Sequence, residues 1–129
     1  MKKTGLVFLV DDDIDDQGLF LDALSEIDKD IQLVTAVNGV EALQKLSNEL
    51  LVPDYIFMDL NMPLMNGIQC LKELKKVATL AKIPVVIYST SSFSKDLEEA
   101  KKAGAFDYII KPFSFPELCD RIRKVLTTN

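Results

Sequence analysis

The chain has 129 residues, of which 48% are hydrophobic and 27% charged, and its formal net charge is −5. This length and composition predict one globular domain with its own core and exclude a disordered chain. The sequence contains no histidine, which excludes Ser-His-Asp and Cys-His catalysis, histidine-ligated metals and a phosphohistidine on this chain. The acidic balance argues against nucleic-acid binding, because the phosphate backbone would repel the protein.

The N-terminal segment predicts neither a signal peptide nor a membrane anchor. Its first apolar run, Leu6 to Val10, has only five residues and ends at Asp11. A membrane span needs about 20 apolar residues, and a secretory signal needs a longer apolar core than this run. We therefore expect a cytoplasmic protein in which the thiols of Cys70 and Cys119 stay reduced, and we assign these two cysteines no role.

Apolar runs alternate with amphipathic stretches in the first half of the chain. Leu6 to Val10 predicts a strand, and apolar residues at helical spacing from Leu19 to Ile27 predict the helix that follows it. The run from Ile31 to Val37 is rich in β-branched residues and predicts a second strand. Asn38, with Glu41 at the capping-box position, then begins a second helix. The apolar face of that helix is predicted to contain Val40, Leu43, Leu46 and Leu50.

The same alternation continues through the middle of the chain. Tyr55 to Met58 predicts the third strand, and after a loop rich in Pro and Gly a third helix turns its apolar side inward. The inward residues of that helix are predicted to be Ile68, Leu71, Leu74 and Ala78. Ile83 to Tyr88 predicts the fourth strand, so the β-then-α order is kept.

The last two helices differ in their apolar content. The fourth predicted helix begins at a cap on Ser94 and stops at Gly104, and its apolar side is thin. That side consists of Leu97, Ala100 and Ala103. Phe106 to Ile110 predicts the fifth strand, and Ser114 with Glu117 caps a fifth helix with a fuller apolar side.

Five continuous apolar strands separated by helices predict a parallel sheet with helices on both faces. The expected fold is a doubly wound (βα)₅ α/β sandwich with strand order 2-1-3-4-5, which is flavodoxin-like. No shift of composition marks a boundary between domains, so residues 1–129 are expected to form a single domain.

Polar side chains stand at the carboxyl ends of four predicted strands, where open parallel sheets bind ligands. These segments are Asp11-Asp12-Asp13, Asp59-Leu60-Asn61, Ser89-Thr90 and Lys111-Pro112. Three carboxylates in one pocket repel each other, and a hard cation relieves this repulsion. Oxygen ligands without histidine or paired cysteine favour Mg²⁺ over zinc. A carboxylate beside Mg²⁺, with a lysine and a hydroxyl to hold oxygens, can attack phosphorus and form an acyl phosphate.

These motifs resemble the receiver domain of two-component response regulators, in order, from about Leu6 to Leu126. The resemblance rests on Asp11-Asp12, on Asp59 to Pro63 with Asn66-Gly67, on Ser89, and on Lys111-Pro112-Phe113. Because no output domain follows the fifth helix, the chain is most similar to stand-alone regulators of the chemotaxis or phosphorelay type. Such a regulator passes its signal by docking to a separate target or by passing the phosphoryl group to another histidine.

The resemblance also implies a role for each site residue. Asp59 would accept a phosphoryl group from a phosphohistidine on a histidine kinase or a histidine phosphotransfer protein. Asp12, Asp59 and the carbonyl of Asn61 would ligate Mg²⁺, and Asp11 would assist through water. Ser89 and Lys111 would bind the phosphoryl oxygens.

Two assignments within this resemblance involve a choice between neighbouring residues. We take Asp11-Asp12 as the acidic pair, because it directly follows the last apolar residue of its strand, and this leaves Asp13 in the loop. We take Ser89 as the switch hydroxyl in place of Thr90 or Ser91, because its spacing to Lys111 resembles that of the family. Tyr108, three residues before Lys111, stands where the family carries its rotameric switch aromatic.

The output surface and the remaining acidic residues complete the prediction. We expect signalling through the face formed by the fourth helix, the fifth strand and the fifth helix, the α4-β5-α5 face of the predicted elements. The thin fourth helix buries little apolar area and can shift at low cost. The acidic residues outside the cleft are expected to be solvated: Asp15, Asp16, Glu98 and Glu99.

Other function classes fit the sequence less well. A phosphohydrolase that forms an aspartyl phosphate generally carries a second acid two residues after the nucleophile, where this chain has Asn61. Nucleotide and flavin binders need glycine-rich loops, but the five glycines are all more than ten residues apart. A receiver-like interaction module that does not take phosphate would have lost an acidic residue or the lysine, and this sequence keeps them.

Overall fold

One five-stranded parallel sheet organises the computed structural model, which describes residues 4–48 and 50–127. The strand order is β2-β1-β3-β4-β5, so the predicted flavodoxin-like α/β fold is confirmed. The strands are β1 (Leu6–Val10), β2 (Gln32–Ala36), β3 (Tyr55–Met58), β4 (Val85–Ser89) and β5 (Asp107–Ile110).

Six helices in the described part of the chain cover the two faces of this sheet. They are α1 (Ile14–Ile27), α2 (Gly39–Leu46), α3 (Gly67–Lys75), α4 (Ala78–Ala81), α5 (Ser94–Lys102) and α6 (Phe115–Leu126). Helices α1 and α6 pack on one face, and α2, α3 and α5 pack on the other. The predicted fourth and fifth helices are therefore α5 and α6, because the short helix α4 precedes them. In the described part of the chain, no helix is long and apolar enough to cross a membrane.

The core consists of two apolar clusters, one on each face of the sheet, because successive side chains of a strand point to opposite faces. Ile56 and Met58 of β3 face the side of α2 and α3, whereas Phe57 faces α1 and α6. Phe20 of α1 packs edge-on against Phe57, with ring centroids 4.9 Å apart. Every residue of β3 is buried, which explains its uninterrupted apolar sequence.

Two predicted helix faces extend too far. Helix α3 ends at Lys75, and Val77 adopts an extended conformation before the single turn of α4. Ala78 consequently lies exposed in that turn and is not an inward residue of α3. Helix α2 ends at Leu46, and Leu50 is 93% exposed in the loop that follows. The side chain of Asn48 accepts a hydrogen bond from the Leu50 N–H, a local turn that replaces the helix.

The N-terminus of α5 also differs from its prediction. Ser94 is the first residue of the helix, and the N-cap position belongs to Phe93, whose side chain makes no capping bond. The other predicted caps are confirmed, because Asn38 and Ser114 accept hydrogen bonds from the N–H groups of Glu41 and Glu117. Helix α5 therefore starts without the side-chain cap that stabilises α2 and α6.

Helix α5 buries little apolar surface, as its sequence predicts. Ala100 is its one fully buried residue in the described part of the chain, and Leu97 is 37% exposed. The helix ends as predicted before Gly104, whose φ of +98° is a conformation that favours glycine. In contrast, α6 buries four residues: Leu118, Cys119, Ile122 and Val125.

Candidate functional site

The carboxyl ends of β1, β3 and β5 meet at one open cleft. The parallel register aligns Val10 with Met58 across β1 and β3, so the acidic residues that follow these strands lie side by side. Lys111 directly follows β5, and its N–H donates to the carbonyl oxygen of Ser89. The cleft is lined by Asp12, Asp13, Ile14, Asp16, Asp59, Asn61, Thr90 and Lys111.

Lys111 is the centre of the charge network in this cleft. Its Nζ lies 2.9 Å from Asp11 Oδ2, 3.3 Å from Asp59 Oδ2 and 2.7 Å from Asp16 Oδ2, and its side chain is only 10% exposed. Burial alone would lower the pKa of Lys111, but the bonds to Asp16 and Asp11 outweigh this effect and raise it. The ammonium is therefore held in its charged form. The Lys111 side chain thus reaches from the end of β5 to Asp59, which follows β3, two strands away in the sheet.

Two of the carboxylates are buried at the ends of their strands. Asp11 has no exposed surface, and its Oδ1 accepts a hydrogen bond from the Asp13 N–H. Burial raises the pKa of Asp11 to about 6, against the opposing effects of this hydrogen bond and of Lys111. Asp59 is also buried, and its Oδ1 accepts from the N–H of Leu60. The cleft therefore carries negative charge that its surroundings solvate poorly.

The oxygens of three carboxylates are close enough to share a cation. One oxygen each from Asp11, Asp12 and Asp59 lies within 4.8 Å of the others. An all-oxygen donor set in a partly open cleft fits a hard divalent ion such as Mg²⁺. Asp13 has a different structural role, because its Oδ1 accepts hydrogen bonds from the N–H groups of Asp15 and Asp16 and caps α1. This role of Asp13 supports the choice of Asp11-Asp12 as the acidic pair.

The loop between β3 and α3 approaches Asp59 closely at Gly67. The Gly67 N–H donates to the carbonyl oxygen of Leu60, and a Cβ at Gly67 would lie 2.2 Å from the Asp59 carbonyl oxygen. Only glycine allows the backbone to pass at this distance. Asn66 caps α3 in a complete capping box with Gln69, so the Asn66-Gly67 pair on which the resemblance partly rests also fixes the start of that helix.

Ser91 connects the predicted switch residues Ser89 and Tyr108. Ser89 is fully buried beneath the cleft, and its Oγ accepts from the Ser91 N–H, while Thr90 lines the cleft surface. The Tyr108 hydroxyl donates to the Ser91 carbonyl oxygen at 2.8 Å. The Ser91 hydroxyl in turn bonds to Asp96 in the first turn of α5. One residue therefore links the end of β4, the ring on β5 and the start of α5.

Asp16 is the site residue that the sequence reasoning missed. It was predicted to be solvated, but it is half-buried, lines the cleft and forms the shortest of the three ion pairs with Lys111. The two residues are 95 positions apart in the sequence, so the contact depends on the folded topology. The available signal was its place in the first helical turn, since helical side chains lean toward the N-terminus and here toward the cleft.

Comparisons with known proteins agree with this architecture. The family model described as the response regulator receiver domain matches residues 7–123, and the chain belongs to this family. The chemotaxis protein CheY of Thermotoga maritima is 41% identical over 90 residues, which cover 70% of this chain and 72% of that protein.

Solved structures give the same result. A phosphorylated cyanobacterial phytochrome response regulator, RcpA, superposes with a TM-score of 0.89 at 30% identity and covers 99% of this chain and 97% of its own. The Mn²⁺-bound form of response regulator Rcp1 has a TM-score of 0.85 at 26% identity, over 97% and 96% of the two chains. The chain spans about half the length of the first curated relatives that it matches, from 47% to 49%.

Proposed function

We propose that this protein is a single-domain response regulator that accepts a phosphoryl group on Asp59 from a histidine kinase or a histidine phosphotransfer protein. The observation that carries the proposal is the juxtaposition of Asp59 with Lys111 and with the carboxylates of Asp11 and Asp12 in one cleft. The protein is a signalling phosphoacceptor, and the only reactions it catalyses are its own phosphorylation and dephosphorylation.

Four residues in or beneath the cleft have a task in this reaction. Asp59 attacks phosphorus, and the bond from phosphorus to the donor imidazole breaks. Lys111, held in its charged form, binds an oxygen of the arriving group, and the buried hydroxyl of Ser89 binds another. Asn61 lines the cleft at a position where its carbonyl can serve as a ligand.

Mg²⁺ is the proposed cofactor. Asp12, Asp59 and the carbonyl of Asn61 would hold it, with Asp11 assisting through water, and it would neutralise charge on the phosphoryl oxygens when bound. The three neighbouring carboxylates support this proposal, as does the Mn²⁺-bound form of the related regulator Rcp1.

The output surface is the face of α5, β5 and α6, the predicted α4-β5-α5 face. Each of these elements carries a large apolar side chain with partial exposure, respectively Leu97, Ile110 and Phe115. We infer that a separate target protein docks here, or that the phosphoryl group passes onward to another histidine. We also infer a cytoplasmic location without nucleic-acid or membrane partners, which suits an acidic chain whose Cys70 and Cys119 thiols are free.

Incubation with Mg²⁺ and acetyl phosphate tests the central claim. Positioning and charge neutralisation dominate phosphoryl transfer, so a small donor is sufficient, and intact mass spectrometry is expected to show one added phosphoryl group. Asp59→Asn is expected to abolish the addition. Asp22→Asn, which removes an exposed carboxylate of α1, serves as the matched control and is expected to leave it intact. Equal phosphorylation of Asp59→Asn, or none of the wild type, contradicts the proposal.

A further inference from the structure

Asp16 makes the shortest contact with Lys111, and the function proposed above gives it no role. Its Oδ2 lies 2.7 Å from Lys111 Nζ, compared with 2.9 Å for Asp11 and 3.3 Å for Asp59. An ammonium has three N–H donors, and these three carboxylates use them all. A phosphoryl oxygen that binds Lys111 therefore has to displace or share one of these acceptors.

The fold fixes Asp16 in this position. It is the third residue of α1, and its N–H donates to the Oδ1 of the capping residue Asp13 at 3.1 Å. The cap sets the rotation of the first turn, so the Asp16 side chain leans back toward the cleft, where it is 27% exposed. Asp15, on the same turn, is exposed and does not line the cleft among the described residues.

The contact opposes the binding of a phosphoryl group in two ways. Asp16 competes directly for a donor of Lys111, since a carboxylate and a phosphoryl group both seek charged N–H groups. It also adds a negative charge beside the place where an anionic donor has to arrive. Because Lys111 is largely buried, solvent screens this contact less than it screens a surface ion pair.

We propose that Asp16 is a positioning residue that holds Lys111 toward α1 in the unphosphorylated site and limits how readily Asp59 takes a phosphoryl group. The inference rests on the proposed function and leaves its covalent step unchanged. Asp59 forms the bond to phosphorus, the bond from phosphorus to the donor breaks, and its electron pair leaves with the donor. Asp16 exchanges no proton in this step and acts through Lys111.

The rate of phosphorylation by acetyl phosphate in the presence of Mg²⁺ tests the inference. Asp16→Asn is expected to raise the second-order rate constant about two- to five-fold, the effect of losing one partly exposed ion pair. Asp15→Asn makes the same charge change on the same turn and is expected to give a smaller increase. Asp16→Glu, which keeps the charge, is expected to restore the wild-type rate. Equal effects of Asp16→Asn and Asp15→Asn, or a slower Asp16→Asn, overturn the inference.

A second measurement does not depend on phosphorylation. Acetic anhydride labels lysine amines, and peptide mapping gives the labelling rate of Lys111 relative to the exposed Lys72. Loss of the Asp16 acceptor is expected to speed the labelling of Lys111 several-fold in Asp16→Asn but not in Asp15→Asn. Unchanged labelling overturns the inference even if the wild type is phosphorylated. A wild type that takes no phosphoryl group, with faster labelling in Asp16→Asn, contradicts the proposed function and leaves the Asp16 contact standing.

Discussion

The cleft and the α5 side of the molecule are built in opposite ways. In the cleft, polar groups are buried and bonded to one another. Asp11 and Ser89 have no exposed surface. Lys111, which follows β5, pairs with the acidic residues that follow β1 and β3 and with Asp16 of α1. Helix α5 has no side-chain cap and buries only Ala100 among its described residues. The buried charges, which cost stability, are concentrated in the cleft, where the phosphorylation chemistry is proposed. The apolar packing is thinnest at α5, the helix that can shift in response.

The two regions are nevertheless connected. Ser91 bonds to Ser89 beneath the cleft, to the Tyr108 hydroxyl and to Asp96 in the first turn of α5. A change at Ser89 can therefore reach α5 through a single residue of the loop after β4. A two-state element balanced within a few kcal/mol responds to one such contact.

The largest effect is expected from the apolar core of α6, and it sharpens the contrast with α5. Ile122→Ala removes a fully buried side chain and leaves a cavity, so it is expected to lower the free energy of unfolding by about 3 kcal/mol. Leu97→Ala on α5 removes a 37% exposed side chain and is expected to cost less than about 1 kcal/mol. Urea denaturation of both variants measures the difference, and equal losses would show that α5 is packed as firmly as α6.

This contrast between the helices could be read from the sequence, because it depends on local pattern. The five apolar runs predict the strands, and the parallel α/β topology follows from their alternation with helices. The parallel topology alone then predicts that the side chains at the strand ends, such as Asp59 and Lys111, lie at one edge of the sheet. The errors at Ala78 and Leu50 have a local cause, since an extended Val77 and an Asn48 turn interrupt the helical pattern.

The second effect concerns the buried carboxylate of Asp11. Its pKa is about 6 in the folded protein and 3.8 in its unperturbed state, so ionisation at neutral pH costs stability. Asp11→Asn removes this cost and is expected to raise the free energy of unfolding by about 2 kcal/mol above pH 7 without divalent cations. As the pH falls through 6 toward 3.8, the wild-type carboxyl takes up a proton and the difference is expected to disappear.

Denaturation at several pH values with a chelator present measures this effect. Asp22→Asn, the exposed control on α1, is expected to show no such pH dependence. A stability difference between Asp11→Asn and the wild type that stays constant from pH 8 to pH 4 would show that the cleft carries no burial cost at Asp11.

The third effect separates the two acidic residues that follow Asp11. Asp12→Asn is expected to weaken Mg²⁺ binding about ten-fold or more, because it removes a proposed ligand of the ion. Asp13→Asn removes the same charge from the next residue but keeps an effective N-cap for α1, so Mg²⁺ affinity and stability are expected to change little. Isothermal titration with Mg²⁺ compares the variants. The choice of Asp11-Asp12 as the acidic pair would be wrong if Asp13→Asn, and not Asp12→Asn, were the variant that loses Mg²⁺ binding.

The cleft shows where sequence reasoning stops. The residues that meet there could be chosen because each follows a strand, but the partners of Lys111 depend on side-chain directions that no local pattern reports. Asp16 lies in the first turn of α1, where the sequence predicts solvated acidic side chains. Only the folded chain brings it to a lysine 95 positions away. The sequence also does not report whether Ser89 or Thr90 faces the cleft, because this depends on which way each side chain points at the end of β4.

The smallest effect joins the two regions and tests the choice of Ser89. Phosphorylation at Asp59 is expected to draw Ser89 toward the phosphoryl oxygens and away from the Ser91 N–H. The hydrogen bonds that join Ser91 to Tyr108 and to Asp96 of α5 are then expected to weaken. Amide exchange across residues 89–108 is therefore expected to change on phosphorylation, and the ring of Tyr108 to become more buried. Ser89→Ala is expected to keep phosphorylation at Asp59 and to lose most of this change.

Thr90→Ala is the matched control, because it removes the neighbouring hydroxyl at the cleft surface, and it is expected to retain the change. Loss of the response in Thr90→Ala alone would assign the switch to Thr90, and changes confined to the loop around Asp59 would contradict the coupling while leaving the phosphoacceptor proposal intact.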